Sequence, residues 1–465
     1  MTKYERLMAR KNEIVKGAVG IEYKDFEYDQ IGFDYELLMS KTGFAIEEAI
    51  AVQGAQNVGK TPLLKLNHLT ELARKISPEG KGATIYLKDE AANPSGSFKA
   101  RRAALAVYTA KKMGFKGVVA ATSGNYGAAV ASQAAMQGLK CIIVQETFDS
   151  KGIGQPEIIE KARKCEAFGA EVVQLSVGPE LFYVFLEILE QTGYFNASLY
   201  SPYGIAGIET LGYEIAEQMQ SETGRYPDVV VCTNAGGGNL TGTARGLIKA
   251  GALNTKIIGA SVDLTGLHMA SDMDFNRKSF TTGHTGFGLP YSVYPDRSDV
   301  PRSAARPLRY MDEYYLVKQG EVFFITEALA RLEGLERGPA GNTSLAVAFS
   351  LAQTLSIDES IVVQETEYTG AGKHFTSQLS FAKANGIEIK FGNPEEEVAG
   401  QNIILPKQLE DLRARPLDLN KLREKLVLNL ADQVPYTSLT QRELEFLRAE
   451  SRLSNEDIKR ILENR

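Results

Sequence analysis

Three short stretches of the chain combine residue types that could do chemistry together. The first is Asn93-Pro94-Ser95-Gly96-Ser97-Phe98-Lys99-Ala100-Arg101-Arg102. An apolar run ends there in a Pro/Gly/Ser turn, and a helical pattern follows. With Ser97 as N-cap, Lys99 falls in the first helical turn, where the positive dipole end disfavours a cation. A lysine with a depressed pKa suits Schiff-base chemistry on a carbonyl compound. Taken alone, a lysine at a helix start is more often a solvated surface residue. The second stretch is Thr122-Ser123-Gly124-Asn125. It sets hydroxyls, an amide and backbone N–H groups at a helix N-terminus, a good seat for a carboxylate, or simply a capped turn. The third is Thr233-Asn234-Ala235-Gly236-Gly237-Gly238-Asn239-Leu240-Thr241-Gly242. A buried strand runs into a glycine loop and then a helix, an arrangement whose N–H groups and dipole favour a phosphate. It is not G-x-G-x-x-G, and no dinucleotide fingerprint accompanies it.

These stretches must be positioned by an α/β framework. Seven short, continuously apolar runs recur along the chain: 83–87, 117–120, 141–144, 171–175, 228–232, 256–260 and 360–364. Between them lie helical patterns such as Arg101 to Met113 and Gly127 to Gln137. Runs of this kind are strands buried on both faces, so the fold class is α/β with mostly parallel, twisted sheets. Each chemical stretch lies where a run gives way to a helix. The ends differ. Residues 1–55 hold a helical, Glu-rich stretch (Tyr35 to Ala51) and no strand. From about 396 onward there is again no strand pattern, and helices are expected over 407–415, 419–430, 440–452 and 455–464. Both ends read as helical extensions that add packing surface or dock a partner.

Composition sets the outer limits. A chain of 465 residues suits two or three domains, and 43% hydrophobic residues provide a large core without a disulfide or metal staple. The net charge of −6, with no basic run, argues against nucleic acid as the main partner. The three cysteines, Cys141, Cys165 and Cys232, are odd in number and far apart, which fits a reducing, cytoplasmic setting. No leader-like segment opens the sequence, and no apolar stretch approaches the roughly 18 residues of a membrane span. His68, His268, His284 and His374 have no metal-like spacing, so no metal site is expected. The glycine-flanked His284 loop reads as a substrate lid or a plain surface loop. Gly54-Ala55-Gln56-Asn57-Val58-Gly59-Lys60-Thr61 matches the phosphate-loop pattern letter for letter. A helical pattern precedes it and Pro62 follows it, so the strand and helix that pattern needs are missing.

Together the three stretches resemble the fold-type II pyridoxal-phosphate enzymes, the tryptophan synthase beta-like group. Asn93 to Lys99 resembles the family's lysine motif, Ser123-Gly124-Asn125 its asparagine loop and Gly236-Gly237-Gly238 its phosphate loop, in the family's order. Thr61-Pro62-Leu63 resembles its opening strand. Glu333 to Glu336 and Gly338 to Asn342 resemble a later active-site segment. The resemblance spans roughly residues 56–390. It implies two domains, a larger cofactor domain of residues 56–99 with 205–395 and a smaller one of 100–204, with helical extensions at 1–55 and 396–465. It implies that Lys99 bonds the cofactor and shuttles the Cα proton. Asn125 would hydrogen-bond the cofactor's phenolic oxygen. Gly236, Gly237, Gly238 and Asn239 would hold the phosphate, and Thr122, Ser123 and Gly124 the substrate carboxylate. Thr366 is the choice for the pyridine nitrogen, with the adjacent carboxylates Glu365 and Glu367 as alternatives, and Tyr368-Thr369-Gly370 faces the cofactor or only turns the chain. Ala100 departs from the family, where an acidic residue often follows the lysine. A narrower likeness within the family implies cleavage of 2-amino-4-oxopentanoate by coenzyme A to acetyl-CoA and alanine in the D-form, during ornithine degradation. It also implies a small second subunit and a homo-oligomer, a dimer. The alternative is β-elimination or replacement on a small amino acid, which releases no acetyl-CoA.

Overall fold

The seven apolar runs all form strands, and they divide between two sheets. The computed structural model describes residues 2–464 apart from 123, 147–155, 176–177, 267–277, 283, 286–298 and 369–374. In chain order the strands of these sheets are β1 Leu63–Lys65, β2 Thr84–Asp89, β3 Gly117–Thr122, β4 Lys140–Glu146, β5 Glu171–Leu175, β6 Phe195–Asn196, β7 Val229–Thr233, β8 Lys256–Val262, β9 Glu313–Val317, β10 Ser360–Glu365 and β11 Arg415–Pro416. The larger sheet has the order β11-β9-β8-β7-β10-β2-β1. Its five inner strands are parallel, and β1 and β11 are antiparallel edges. Ile361 lies level with Ile85 on one side and Val229 on the other. Every residue of β10 is buried, as a strand covered on both faces must be. The smaller sheet, β5-β4-β3-β6, is parallel throughout.

Six helices surround the strand ends that carry the chemical stretches: α1 Lys99–Lys112, α2 Asn125–Gln137, α3 Pro202–Thr223, α4 Gly238–Lys249, α5 Gln319–Glu333 and α6 Pro339–Ala352. Ala128, Ala129, Ala131 and Ala134 of α2 are buried, so small side chains let this helix lie close to its sheet.

Both ends of the chain are folded onto this framework. Their buried residues, from Leu7, Val15 and Leu38 to Phe446, Leu447 and Ile458, share one core with β3, β4 and α2. The two ends also meet each other. Tyr28 and Tyr35 pack on Phe446, and the Glu443 carboxylate accepts the backbone N–H groups of Gln30 and Ile31 at 2.6 and 2.8 Å. Arg306 pairs with Glu450 of the C-terminal region at 2.7 Å and with Glu36 of the N-terminal region at 3.3 Å.

Several expectations need correction. The ends are not strand-free: a two-residue hairpin joins Glu27–Tyr28 to Gly32–Phe33, Asn402–Leu405 pairs with Glu388–Phe391 across the expected 395/396 boundary, and β11 joins the larger sheet. Elements of two to four residues are too short to leave a periodicity. The stretch 35–51 is two helices, Tyr35–Ser40 and Ile46–Gly54, broken where Gly43 takes φ 69°. Residues 407–415 hold only a short turn at Leu409–Asp411 before β11. Here buried Glu321 overrides helix propensity, accepting the Arg413 backbone N–H at 2.9 Å and the Arg415 guanidinium at 2.7 Å. The phosphate-loop lookalike follows the helix Ile46–Gly54 and leads into β1, with no strand before it.

Candidate active site

In an open parallel sheet, ligands sit outside the carboxyl ends of the strands, where loops lead into helix N-termini. All three chemical stretches lie there. Lys99 opens α1 after β2, Asn125 opens α2 after β3, and Gly238 opens α4 after β7. The turn before Lys99 is strained: Ser95 takes φ 66° and Gly96 φ 75°. A Cβ on Gly96 would stand 2.7 Å from the Tyr368 carbonyl oxygen, so that position requires glycine. The close approach arises because the turn is laced to the end of β10. Phe98 N–H donates to Thr366 O at 3.0 Å, and Tyr368 N–H donates to Gly96 O at 2.8 Å. Lys99 is thereby held beside the strand end that carries Thr366.

A buried ion cluster fixes the same turn from below. Arg101 donates to both oxygens of Glu90, at 2.7 and 2.8 Å, and to Glu214 at 3.0 Å. Glu90 also accepts from Thr61 at 2.6 Å and Asn93 at 2.9 Å. Lys88 donates to Glu214 at 2.6 Å. Burial works against the Arg101 charge, but Glu90 and Glu214 outweigh it and raise its pKa. Burial dominates for Lys88 and lowers its pKa despite Glu214. Thr61 of the phosphate-loop lookalike is thus spent on this cluster.

Strand alternation separates the three candidates at the end of β10. Gln364 reaches α4, donating to Thr243 Oγ1 at 2.5 Å. Glu365 and Glu367 point to the opposite side, against α6: a Cβ on Gly341 would meet the Glu365 carboxyl, and one on Gly338 would lie 3.0 Å from Glu367 Oε1. Thr366 therefore shares the α4 side with Gln364, and the carboxylates face away. Burial pushes the Glu365 carboxyl well above its ordinary value where it packs under α6.

The glycine loop fits a phosphate. Gly237 takes φ 80°, which turns the chain into the N-terminus of α4. Both side-chain polar atoms of Asn239 are buried without a partner, as is Ser97 Oγ. A Cβ on Gly238 would stand 2.5 Å from the Arg102 guanidinium, and one on Gly236 would overlap the Tyr200 hydroxyl. The unsatisfied Asn239 amide, the N–H groups of the α4 N-terminus and the Arg102 cation lie together there, as an anion requires.

At α2, Thr122 Oγ1 accepts the Gly124 N–H at 3.0 Å, and both Thr122 and Asn125 are half-buried. Ser123 lies outside the described residues, as do His268, His374 and Thr369-Gly370 and most of the loop around His284. Sequence reasoning missed three residues here. Lys161, on the helix Pro156–Ala167, stands 3.0 Å from where a Gly124 Cβ would be, so the turn before α2 has a cation beside it. Its signal was its place on the stripe Ile158, Ala162, Cys165. Arg102 is followed in α1 by the buried run Ala103 to Val107, a charge at the head of an apolar stretch, which was also readable. Tyr200 follows β6 in a loop with no motif.

Among the described residues, no group of three or more His, Cys, Asp or Glu side chains could hold a metal ion. No helix there is long and apolar enough to cross a membrane. The three cysteines are free and buried.

Residues 55–367 match the family of pyridoxal-phosphate dependent enzymes, and the chain belongs to that family. Pyridoxal phosphate is its cofactor, and the glycine loop, Lys99 and the orphaned polar atoms fit that group. Among relatives, the 2-amino-4-ketopentanoate thiolase beta subunit of Acetoanaerobium sticklandii is 66% identical over 98% of this chain and 97% of its own length. A threonine synthase from Bacillus sp. is 26% identical over 62% of this chain and 76% of that protein. Of solved structures, a threonine deaminase from T.th. superposes with a TM-score of 0.53 at 24% identity, covering 70% of this chain and 100% of that one. Maize serine racemase gives 0.54 at 20% identity, covering 72% and 98%. These structural likenesses carry the fold.

Proposed function

We propose that this chain is the cofactor-carrying subunit of a 2-amino-4-ketopentanoate thiolase. The observation that carries the reading is the 66% identity to the thiolase beta subunit over nearly the whole of both chains. That relative's name as a beta subunit supports a second subunit for this chain too, proposed to be small. A dimer of the pair and a cytoplasmic setting complete the proposal, the latter supported by three unpaired cysteines.

The overall reaction transfers the acetyl group made of C4 and C5 from C3 of the amino acid to the coenzyme A sulfur. The C3–C4 bond breaks, and C3 gains a proton as alanine is released. Bound pyridoxal phosphate supplies an electron sink next to the amino-acid Cα. The residues of this chain do the rest. The N-terminus of α2, with Thr122, Ser123, Gly124 and Lys161, binds the substrate carboxylate and fixes which bond lies over the sink. Lys99 Nζ holds the cofactor and moves the Cα proton. Gly236, Gly237, Gly238 and Asn239 clasp the phosphate at α4, and Asn125 orients the phenolic oxygen. Thr366 meets the pyridine nitrogen with a hydroxyl, because Glu365 and Glu367 are turned toward α6. The larger lobe, 56–99 with 205–395, carries the phosphate loop; the smaller, 100–204, carries the carboxylate seat. The attacking thiol belongs to coenzyme A, since burial raises the pKa of all three enzyme cysteines.

The test supplies 2-amino-4-ketopentanoate and coenzyme A to the pure chain with and without its second subunit. Acetyl-CoA and alanine in equal amounts are expected. Ammonia from threonine or diaminopropionate with no acetyl-CoA would favour β-elimination instead.

A further inference from the structure

Arg101 and Arg102 are neighbours in sequence and opposites in environment. Both are buried, at 0% and 2% exposure. Arg101 has two carboxylates. Arg102 has no acidic partner among the described residues: Nη1 donates to Leu199 O at 2.9 Å, Nε has no partner, and the guanidinium is flanked by the rings of Phe98 at 5.5 Å and Tyr200 at 5.8 Å. It also sits in the first turns of α1, where the helix dipole opposes a cation. Burial pushes its pKa down, and only tyrosines act against that shift. A buried cation without an anion is costly, so such a group is retained where a ligand brings the missing charge. Its Nη2 reaches to 2.5 Å from the Cβ position of Gly238, at the N-terminus of α4 and beside the orphaned Asn239 amide.

The geometry assigns Arg102 as the residue that neutralises the phosphate of the cofactor, acting from α1 across the glycine loop. This rests on the cofactor reading and adds to it a charged side-chain ligand beside the loop's backbone N–H groups. Because α1 starts at Lys99, one helix end would carry both the lysine that bonds the cofactor and the cation that faces its phosphate.

The experiment strips the cofactor from the purified enzyme and titrates it back by absorbance, with pyridoxal phosphate and, separately, with pyridoxal, which lacks the phosphate. The variants are Arg102→Met, which keeps the volume, and Arg102→Gln, which keeps a donor for Leu199 O. Losing a charge-assisted hydrogen-bonded partner weakens pyridoxal phosphate about ten- to a hundredfold. Pyridoxal is expected to bind both variants as it binds the wild type. Inorganic phosphate is expected to raise the melting temperature of the wild-type apoenzyme and not that of the variants. Equal weakening of both compounds, or no weakening of either, overturns the proposal. Failure of both variants to fold assigns the guanidinium to the core and overturns it too. A wild type that binds neither compound sinks the cofactor reading itself, a result distinct from any of these.

Discussion

Replacing Glu90 with Gln tests how the lysine turn is held. Glu90 is fully buried and takes four hydrogen bonds, two of them from Arg101. The cluster is balanced, with Lys88 and Arg101 facing Glu90 and Glu214. Glu90→Gln keeps the shape and removes one charge, leaving two buried cations on one carboxylate. Breaking a buried pair from one side costs about 3–5 kcal/mol. Glu214 still faces Arg101 at 3.0 Å, which places the cost near the lower end, about 3 kcal/mol. At about 2–4 °C per kcal/mol the melting temperature should fall by about 6–12 °C. The second arm is Glu90→Gln/Arg101→Met, which removes both charges and leaves Lys88 with Glu214. It should recover at least about 1 kcal/mol of the single variant's loss, since a buried pair replaced by apolar groups is often neutral. Thermal unfolding followed by circular dichroism, with cofactor absorbance as a local probe, reads both. A single variant as stable as the wild type, or a double variant worse than the single, would refute the charge-balance argument. The exposed Lys256–Glu313 pair, at 45% and 38% exposure, is the contrast and should contribute about 0–1 kcal/mol.

Three further outcomes are expected. Burial alone would raise the Glu214 pKa, but Arg101 and Lys88 outweigh it and hold the carboxylate below its ordinary 4.5. Its stabilisation is therefore present above about pH 4.5 and is lost as the pH falls through the lower folded value. Acid unfolding should begin in that window, and it should shift when Glu214→Gln is measured alongside. Burial pushes the Cys165 thiol up to about 12 and those of Cys141 and Cys232 higher still. A thiol reagent at pH 8 should find no reactive cysteine in the native chain and three after unfolding. Phe446→Ala should cost about 3–5 kcal/mol in denaturant titrations, because this ring joins the two terminal regions to one core. A cost below about 1 kcal/mol would mean those regions are loosely attached.

Much of this was legible because buried parallel strands leave continuous apolar runs. Ser360 to Gln364 became β10, and every helix N-terminus of the site followed such a run. What the sequence hid was direction. On paper Thr366 was the choice for the pyridine nitrogen only by resemblance, with Glu365 and Glu367 as alternatives; the strand's alternation shows that the two carboxylates face α6. The short elements at the ends were hidden because two to four residues carry no period, and the region 407–415 because a single buried carboxylate, Glu321, decides its backbone. Arg102 was visible as a charge next to the apolar run 103–107, but its meaning depends on Gly238, far away in sequence.

The most direct test of the central claim is chemical fixation of the cofactor. The purified holoenzyme is reduced with borohydride, digested and mapped by mass spectrometry. The account expects one pyridoxyl group on the peptide that contains Lys99, and none in Lys99→Ala. A label on Lys161, on Lys88 or on Lys164, whose Nζ donates to Ser95 O at 2.7 Å, or retention of the label in Lys99→Ala, would contradict it.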